Sequence, residues 1–478
     1  MARVLIVRPP IDKQPGQLVL SGIPLGSLAL ASWLRMERGD DVRVLDYHLD
    51  SNRLDQFSEH IREFDPDVLG FSAYSIQGPL VHSLVEHVKT VRPHCTVVVG
   101  GPYARASQLH ILDNCSADYV VVGDGERPFQ ELIDRIESGE SVDGTAGIAY
   151  RDKAGNARWD GRLGENQDLD ELPLPAYDTV DMEAYFNRRT TTYWEAHQRR
   201  VPILTTRGCV FQCAYCFHMY GSNFRRQSTE RVMREIGHLV ENYGVRELQF
   251  FDDCFNVGRE SALDILDAIS SSRWNLRLSF PPGLRGDLLD RELISAMKRA
   301  GAYQLCIPID TITPRHNQYV NRQISLRKIG ETIAMADKAG LITVTNIIFG
   351  FPGETRREME NTIKYVKSTK AHLATFVMLN VFEGTDLYRK IKRDYPDYEL
   401  TPYVGDWQST RFNMSELSGD ELLAMCSQAT LRFHLSLWRL WRIIILLPRK
   451  RAFLELINLF VRRVFRRILF SRTPPPQC

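Results

Sequence analysis

Residues 205–218 read TTRGCVFQCAYCFH and set Cys209, Cys213 and Cys216 within eight positions of a 478-residue chain that has nine cysteines in all. An odd number of cysteines in a long chain argues for reduced thiols, some of them ligands, over a disulfide framework. The opening MARVLIVRPP, a short β-branched run stopped by two prolines, lacks the build of a secretory signal, so a cytoplasmic protein is expected. Two donor sets fit the loop. With His218 as fourth ligand the cysteines would close a Cys3His zinc site, although zinc motifs usually draw two pairs from separate elements and no second pair lies nearby. A four-iron cluster is held by thiolates on one compact loop, and three of them would leave one iron open to another ligand.

Upstream of the loop, five β-rich runs alternate with helix-sized segments: RVLIVRPP, VRVLDY, DVLGFSAYS, TVVVGG and YVVVGDGE, with PLGSLALASWLRMERG and VHSLVEHVKTV among the helical patterns. This alternation predicts an α/β fold, a doubly wound, Rossmann-like parallel sheet over residues 1–140. Ligands of such sheets bind at the carboxyl ends of the strands. Ser72, Tyr74, Ser75, Gly100, Gly101, Gly123, Asp124, Gly125 and Glu126 stand there. GDGERP is not a dinucleotide fingerprint, because it lacks the third glycine and follows the last strand. Residues 141–198 read as a linker with a hairpin around Gly155 and a proline-punctuated connector, LDELPLPAYD.

The cysteine loop itself follows the first strand of a second alternating region, 199–400, whose strands are VPILTTRG, ELQFFDD, LRLSFPP, AYQLCIPID, TVTNIIFG and TFVMLNVF. Six strand-helix units predict a partial (β/α)6 barrel of the TIM type, with functional groups at the strand C-terminal ends. Residues 401–478 are helical in pattern. Eleven Arg or Lys against the single acid Glu455 lie within 431–478, interleaved with Trp, Phe, Leu and Ile, while the whole chain has a net charge of only +1. Basic amphipathic helices of this kind suit an anionic membrane surface. The other reading is a helix packed on the protein's own barrel with solvated arginines. No aliphatic run is long enough to span a bilayer, the longest being Ile443–Leu447.

RGCVFQCAYC resembles the CxxxCxxC loop of the radical S-adenosylmethionine (SAM) enzymes, and Tyr215 before the last cysteine fits that pattern. Four further stretches agree in order: LQFFDDCF, GLRGDLLDRELISAMKRAG, FGFPGET and VFEGTDLY. The N-terminal half, through PLGSLALASWL, DPDVLGFSAYS, VVVGGPYA and VVVGDGERPFQEL, resembles the cobalamin-binding domain of that superfamily's cobalamin-dependent branch. The resemblance implies a 4Fe-4S cluster on Cys209, Cys213 and Cys216, with SAM against Tyr215, Asp252, Asp253, Arg285, Asp310, Gly350 and Gly353. It implies cobalamin against the strand-end residues named above. Asp310 stands where a glutamate is usual, and Val210 and Glu383 replace frequent prolines. The Asp-x-His-x-x-Gly stretch that puts a histidine on cobalt is missing, so no histidine ligand is expected and His48 reads as a solvated loop residue.

The chemistry implied is C-methylation of an unactivated carbon through a 5'-deoxyadenosyl radical and methylcobalamin, with an electron donor of the flavodoxin or ferredoxin type. The runner-up is a non-methylating rearrangement or oxidative ring closure. A reading of another class, a zinc-stabilised nucleic-acid-binding protein, is disfavoured because the tail's aromatics sit in an aliphatic helix pattern and its arginines lie far from the cysteines. No nucleic acid partner is therefore expected, but a small molecule or lipid as substrate. Cys95, Cys115, Cys306 and Cys426 read as small buried hydrophobes. No catalytic residue is assigned.

Overall fold

The computed structural model describes residues 1–11, 22–49, 54–188, 195–400 and 412–448, and its backbone falls into two compact units. The first takes in Met1–Thr191, Pro202–Ile236 and Val381–Gly405; the second takes in Thr192–Val201, Gly237–Asn380 and Asp406–Cys478.

The first unit is built on seven strands: β1 (Arg3–Arg8), β2 (Asp41–Asp46), β3 (Val68–Ser72), β4 (Thr96–Gly100), β5 (Tyr119–Val121), β6 (Ile148–Arg151) and β7 (Ala157–Arg158). Their spatial order is β2-β1-β3-β4-β5-β6-β7. The first five pair in parallel. Helices cover both faces of such a sheet, which is why these strands read as near-continuous Val, Ile and Leu runs. One side packs Leu5, Val7, Phe71, Val97, Val99 and Val120 into a common core with Phe57, Ile61 and Val85 of the covering helices. β6 and β7 are antiparallel, with Tyr150 opposite Arg158. The hairpin around Gly155 is thus formed as expected, but it is not a linker: it continues the first sheet, which is mixed rather than purely parallel.

A buried ion pair ties the sheet to the helix Met182–Phe186. Arg8 Nε donates to Asp46 Oδ1 at 2.7 Å, and the Tyr185 hydroxyl donates to the same carboxylate. Nearby, His48 is buried rather than solvated, with its Nε2 3.3 Å from Gln77 Nε2.

The second sheet has six strands in the order β15-β14-β13-β12-β11-β8: β8 (Arg200–Ile203), β11 (Glu247–Phe250), β12 (Arg277–Phe280), β13 (Ala302–Cys306), β14 (Ile342–Phe349) and β15 (Leu373–Met378). β9 (Thr206–Arg207) and β10 (Arg225–Arg226) form a separate antiparallel pair in the first unit. β11 to β15 pair in parallel, each followed by a helix, so the sheet is the expected barrel short of eight strands. The helix Gly419–His434 lies along β15, bringing the Phe433 ring to 6.4 Å from Phe376.

The helix Leu437–Leu446 corrects one sequence reading. Its arginines turn inward: Arg439 donates to the carbonyls of Lys367, Thr369 and Ala371, and Arg442 to Asp337. The part of the membrane reading that falls on 449–478 lies outside the described residues.

At the start of β11, Glu247 is buried and accepts hydrogen bonds from the His197 backbone N–H (2.7 Å) and the Tyr303 hydroxyl (2.8 Å). Burial nevertheless pushes its carboxyl up to about 7. An acid raised above its unfolded value of about 4.3 contributes most stability below that pH and loses it as pH rises through the folded value. Melting temperatures should therefore fall between pH 5 and pH 8, and Glu247→Gln should reduce that fall; an unchanged pH dependence would contradict the assignment.

Candidate active site

The cysteine loop begins where β9 ends and closes where β10 begins. Its neck is tight because Gly208, at φ +85°, brings the chain so close that a Cβ there would meet the Asn223 carbonyl oxygen at 2.1 Å. No residue with a side chain fits that approach. The Cys209 N–H then donates to the Gly221 carbonyl at 3.3 Å, and the Cys216 N–H to Cys213 at 2.9 Å. The far side of the loop is held by the Leu387 N–H on the Ala214 carbonyl, 2.8 Å, and by Phe217 edge-on to Phe382. VFEGTDLY, one of the stretches that agree with the resemblance, thus packs on the cysteine loop within the first unit. Cys213 is buried, whereas Cys209 and Cys216 are half-buried, as is Tyr215 between them.

What fixes the loop to the first sheet is a buried cluster of charge. Arg207, the last residue of β9, donates to Glu126 through both terminal nitrogens at 3.1 and 2.7 Å and stands 3.4 Å from Asp124. Arg225, the first residue of β10, pairs with Asp124 and reaches the carbonyls of Asn166 (2.9 Å) and Tyr220 (3.0 Å). Asn166 completes the set, its N–H on Asp124 at 2.8 Å and its amide on Glu126 at 2.7 Å. Burial alone would raise the Glu126 carboxyl, but Arg207 against it holds it below the ordinary carboxylate range. Asp124 and Glu126 were expected among the cobalamin contacts. Glu126 and Asp124 Oδ2 are engaged by the two arginines and Asn166, which makes both residues anchors of the loop, while Asp124 Oδ1 has no hydrogen-bond partner among the described residues. Gly123 has the same purpose: at φ +102° it lets the chain pass Gly164, whose carbonyl oxygen a Cβ would meet at 2.5 Å.

The remaining strand-end residues of the first unit are open. Ser72, Ser75, Gly100, Gly101 and Gly125 are half-buried and Tyr74 is exposed. The helix Gly101–Asn114, which leaves β4 here, breaks its helical geometry at Ser107, whose hydroxyl donates to Glu383 at 2.6 Å. Beside that break, Arg105 Nε and Gln108 Oε1 are buried with no hydrogen-bond partner among the described residues. Buried polar atoms are nearly always satisfied, so these two would be available to a ligand at that end of the sheet. Sequence reasoning passed over both. They lie in a helix whose pattern marks only its core face.

In the second unit the expected SAM contacts sit on the loops after β11, β12, β13 and β14. Asp252 is buried and Asp253 exposed. Asn256, which no motif singles out, joins two of these loops: its amide donates to the Arg285 carbonyl at 2.9 Å and accepts from the Arg285 N–H at 3.0 Å. The guanidinium of Arg285 forms a two-point pair with Asp287, 2.9 Å at each nitrogen, and Asp310 is paired with Arg322 at 2.8 Å. These two side chains are therefore engaged within the unit. Asp310 holds a left-handed backbone, φ 61°, which aspartate tolerates better than most residues. Gly350 and Gly353 belong to a turn closed by Glu354, whose Oε2 accepts from the N–H groups of Gly350 (2.8 Å) and Phe351 (3.2 Å). Burial pushes that carboxyl up to about 8, and its Oε1 has no partner among the described residues.

The cluster and the corrin implied by the resemblance fit donors that are present. Among the described residues, no group of three or more His, Cys, Asp or Glu side chains is placed to hold a single metal ion. A four-iron cube asks for something wider, one thiolate to each iron, and the loop carries three cysteines for it. His218 Nε2 beside them is buried without a partner among the described residues. A corrin bearing amides and a phosphate would meet the half-buried hydroxyls of Ser72 and Ser75 there, with Arg105 Nε and Gln108 Oε1 as further polar atoms.

Arg225→Ala would leave Asp124 buried with half its counter-charge, a loss that costs about 3–5 kcal/mol in comparable pairs. Chemical denaturation should show that drop, and anaerobic reconstitution should load less iron although every cysteine remains. Full iron loading in a destabilised variant would separate the anchor from the cluster.

The model of the Radical SAM superfamily matches residues 203–366, and that of the B12 binding domain matches residues 17–133. An uncharacterized methyltransferase of Pyrococcus horikoshii is 30% identical over 393 residues, 81% of this chain and 82% of that protein. The cytidylyl-2-hydroxyethylphosphonate methyltransferase of Streptomyces wedmorensis is 26% identical over 429 residues, 83% of this chain and 79% of that protein. Among solved structures, the cobalamin-dependent SAM radical enzyme OxsB, with aqua-cobalamin and SAM bound, shares the fold at a TM-score of 0.74 and 15% identity, covering 98% of this chain and 72% of that one. The chain belongs to the cobalamin-dependent radical SAM enzymes, whose cofactors are a 4Fe-4S cluster, SAM and cobalamin, and methyltransferases are among its relatives.

Proposed function

We propose that this enzyme methylates an unactivated carbon of a small-molecule substrate, with Cys209, Cys213 and Cys216 holding the cluster. The observation that carries the reading is the buried Asp124–Arg225 and Glu126–Arg207 anchor. It seats the cysteine loop on the carboxyl end of the first sheet, so that loop and sheet can serve one substrate. When bound, the cluster with SAM supplies the radical that activates carbon, and cobalamin supplies the methyl group.

The chain's own part is to bind, orient and exclude water. Asp252 and Asp253 offer carboxylates to the methionyl ammonium, where a charge-assisted hydrogen bond is strongest. Tyr215 flanks the cluster from within the loop, and the turn of Gly350 and Gly353, kept rigid by Glu354, offers backbone to the nucleoside. Ser72, Tyr74, Ser75, Gly100, Gly101 and Arg105 face the corrin. Arg285 and Asp310 act through Asp287 and Arg322, shaping loops rather than touching SAM. The electron comes from a donor of the flavodoxin or ferredoxin type, and the protein works in the cytoplasm.

Anaerobic incubation of the reconstituted enzyme with cobalamin, methyl-labelled SAM and candidate substrates tests this. Label on a product carbon, together with 5'-deoxyadenosine, is the expected result, and Cys209→Ala, Cys213→Ala and Cys216→Ala should each abolish both. A ring-closed product without label would replace methyl transfer by cyclisation.

A further inference from the structure

The helix Leu437–Leu446 is amphipathic in the unusual sense. Its inward stripe is Arg439, Ile443 and the following Leu447, and its outward stripe is apolar. Leu437 (87% exposed), Leu440, Trp441 (57%), Ile444 and Ile445 (52%) follow one another at positions i, i+3, i+4, i+7 and i+8. A stripe of this spacing normally faces a core. Here the core-facing side is held instead by polar locks. Arg439 bonds three carbonyls at 3.0, 2.7 and 3.0 Å, and its guanidinium lies 4.0 Å from the centroid of the Phe433 ring. Arg442 holds Asp337 at 2.8 Å, and Trp438 stacks on His372 at 5.8 Å. With the arginines fixed in this way the helix cannot roll to hide its aliphatic side without breaking them.

Directly after this helix, residues 449–478 carry eight Arg or Lys and only one acid, Glu455. Adjacent apolar and cationic surface is the combination that binds anionic bilayers, the apolar side entering the boundary between headgroups and acyl chains. We infer that the Leu437, Trp441 and Ile445 face docks the enzyme on an anionic lipid surface, with 449–478 adding charge attraction. No helix among the described residues is long and apolar enough to cross the membrane. The docking face also has a direction. Ile443 and Leu447 pack on Tyr303, Ile342 and Leu373, residues at or near the starts of β13, β14 and β15. That is the end of the sheet opposite the loops expected to meet SAM. The contact thus anchors the enzyme and does not deliver substrate.

Flotation of the full-length chain with phosphatidylcholine vesicles, with and without phosphatidylglycerol, tests this independently of methyl transfer. The chain should float with the anionic vesicles and much less with the neutral ones. Trp441→Asp combined with Ile445→Asp should lower the bound fraction about tenfold or more, with melting temperature, elution volume and SAM cleavage unchanged. Leu437→Asp, at the most exposed position, gives the same reading with less risk to folding. Arg439→Ala should lower the melting temperature and leave vesicle binding by the folded fraction intact. Undiminished flotation of the aspartate variants would overturn the inference. So would a fall in their melting temperature, which would mean that the chain's own tail covers the face, or a change in elution volume, which would mean a second copy does.

Discussion

The site depends on one buried interaction: two carboxylates at the end of β5 facing two guanidiniums at the neck of the cysteine loop. Asp124, Glu126, Arg207 and Arg225 are all almost completely shielded from water. Desolvating four charges is costly, and such a cluster seldom exceeds a hydrophobic substitute in net stability. Its value is geometric. A two-point guanidinium–carboxylate pair fixes direction as well as distance, and the two arginines are the two ends of the same loop. The loop between them can therefore hold three thiols without being rigid throughout. Further constraints on it are the glycine neck, the Ala214 contact and the Phe217 ring.

The same logic recurs in the second unit. The loops expected to meet SAM are joined by side chains that do not themselves carry chemistry: Asn256 bridges the loops after β11 and β12, Asp287 holds Arg285, Arg322 holds Asp310, and Glu354 closes the glycine turn. Each fixes a loop through hydrogen bonds or ion pairs of its own, although Glu354 keeps Oε1 without a partner among the described residues. Glu354 is the most exacting case. Burial favours its neutral form, the two backbone N–H groups favour its charged form, and burial prevails.

Much of this was legible in the residues. The five parallel strands of the first sheet and the six of the second stand where Val, Ile and Leu runs interrupt helical periodicity, because doubly covered strands leave no other signature. The hairpin around Gly155 was likewise readable from its turn, although not its membership of the first sheet, since strand pairing is a long-range fact. The anchor was not readable at all. Asp124 and Glu126 look like ligand residues in GDGE, and the arginines that claim them are 81 and 101 residues away. His48 failed for a similar reason: nothing beside it in sequence shows that Gln77, 29 residues away, reaches its ring.

The C-terminal helix shows why periodicity alone gives a stripe but not its direction. In LWRLWRIIIL Arg439 shares one stripe with Ile443 while Leu437, Leu440, Trp441, Ile444 and Ile445 form the other face, and ordinary experience turns arginines to water. What reverses them is the end of the helix Arg356–Ser368, where the Lys367 carbonyl, with those of Thr369 and Ala371 just beyond, has no intrahelical partner. Terminal carbonyls carry the negative end of the helix dipole and need donors. One guanidinium with five N–H groups can meet all three at once, which no aliphatic side chain can do. Once Arg439 is committed there, a helical repeat of 3.6 residues forces Leu437, Trp441 and Ile445 outward. The exposed apolar face therefore follows from a capping requirement of a neighbouring helix, and it persists as long as those three carbonyls have no other donor.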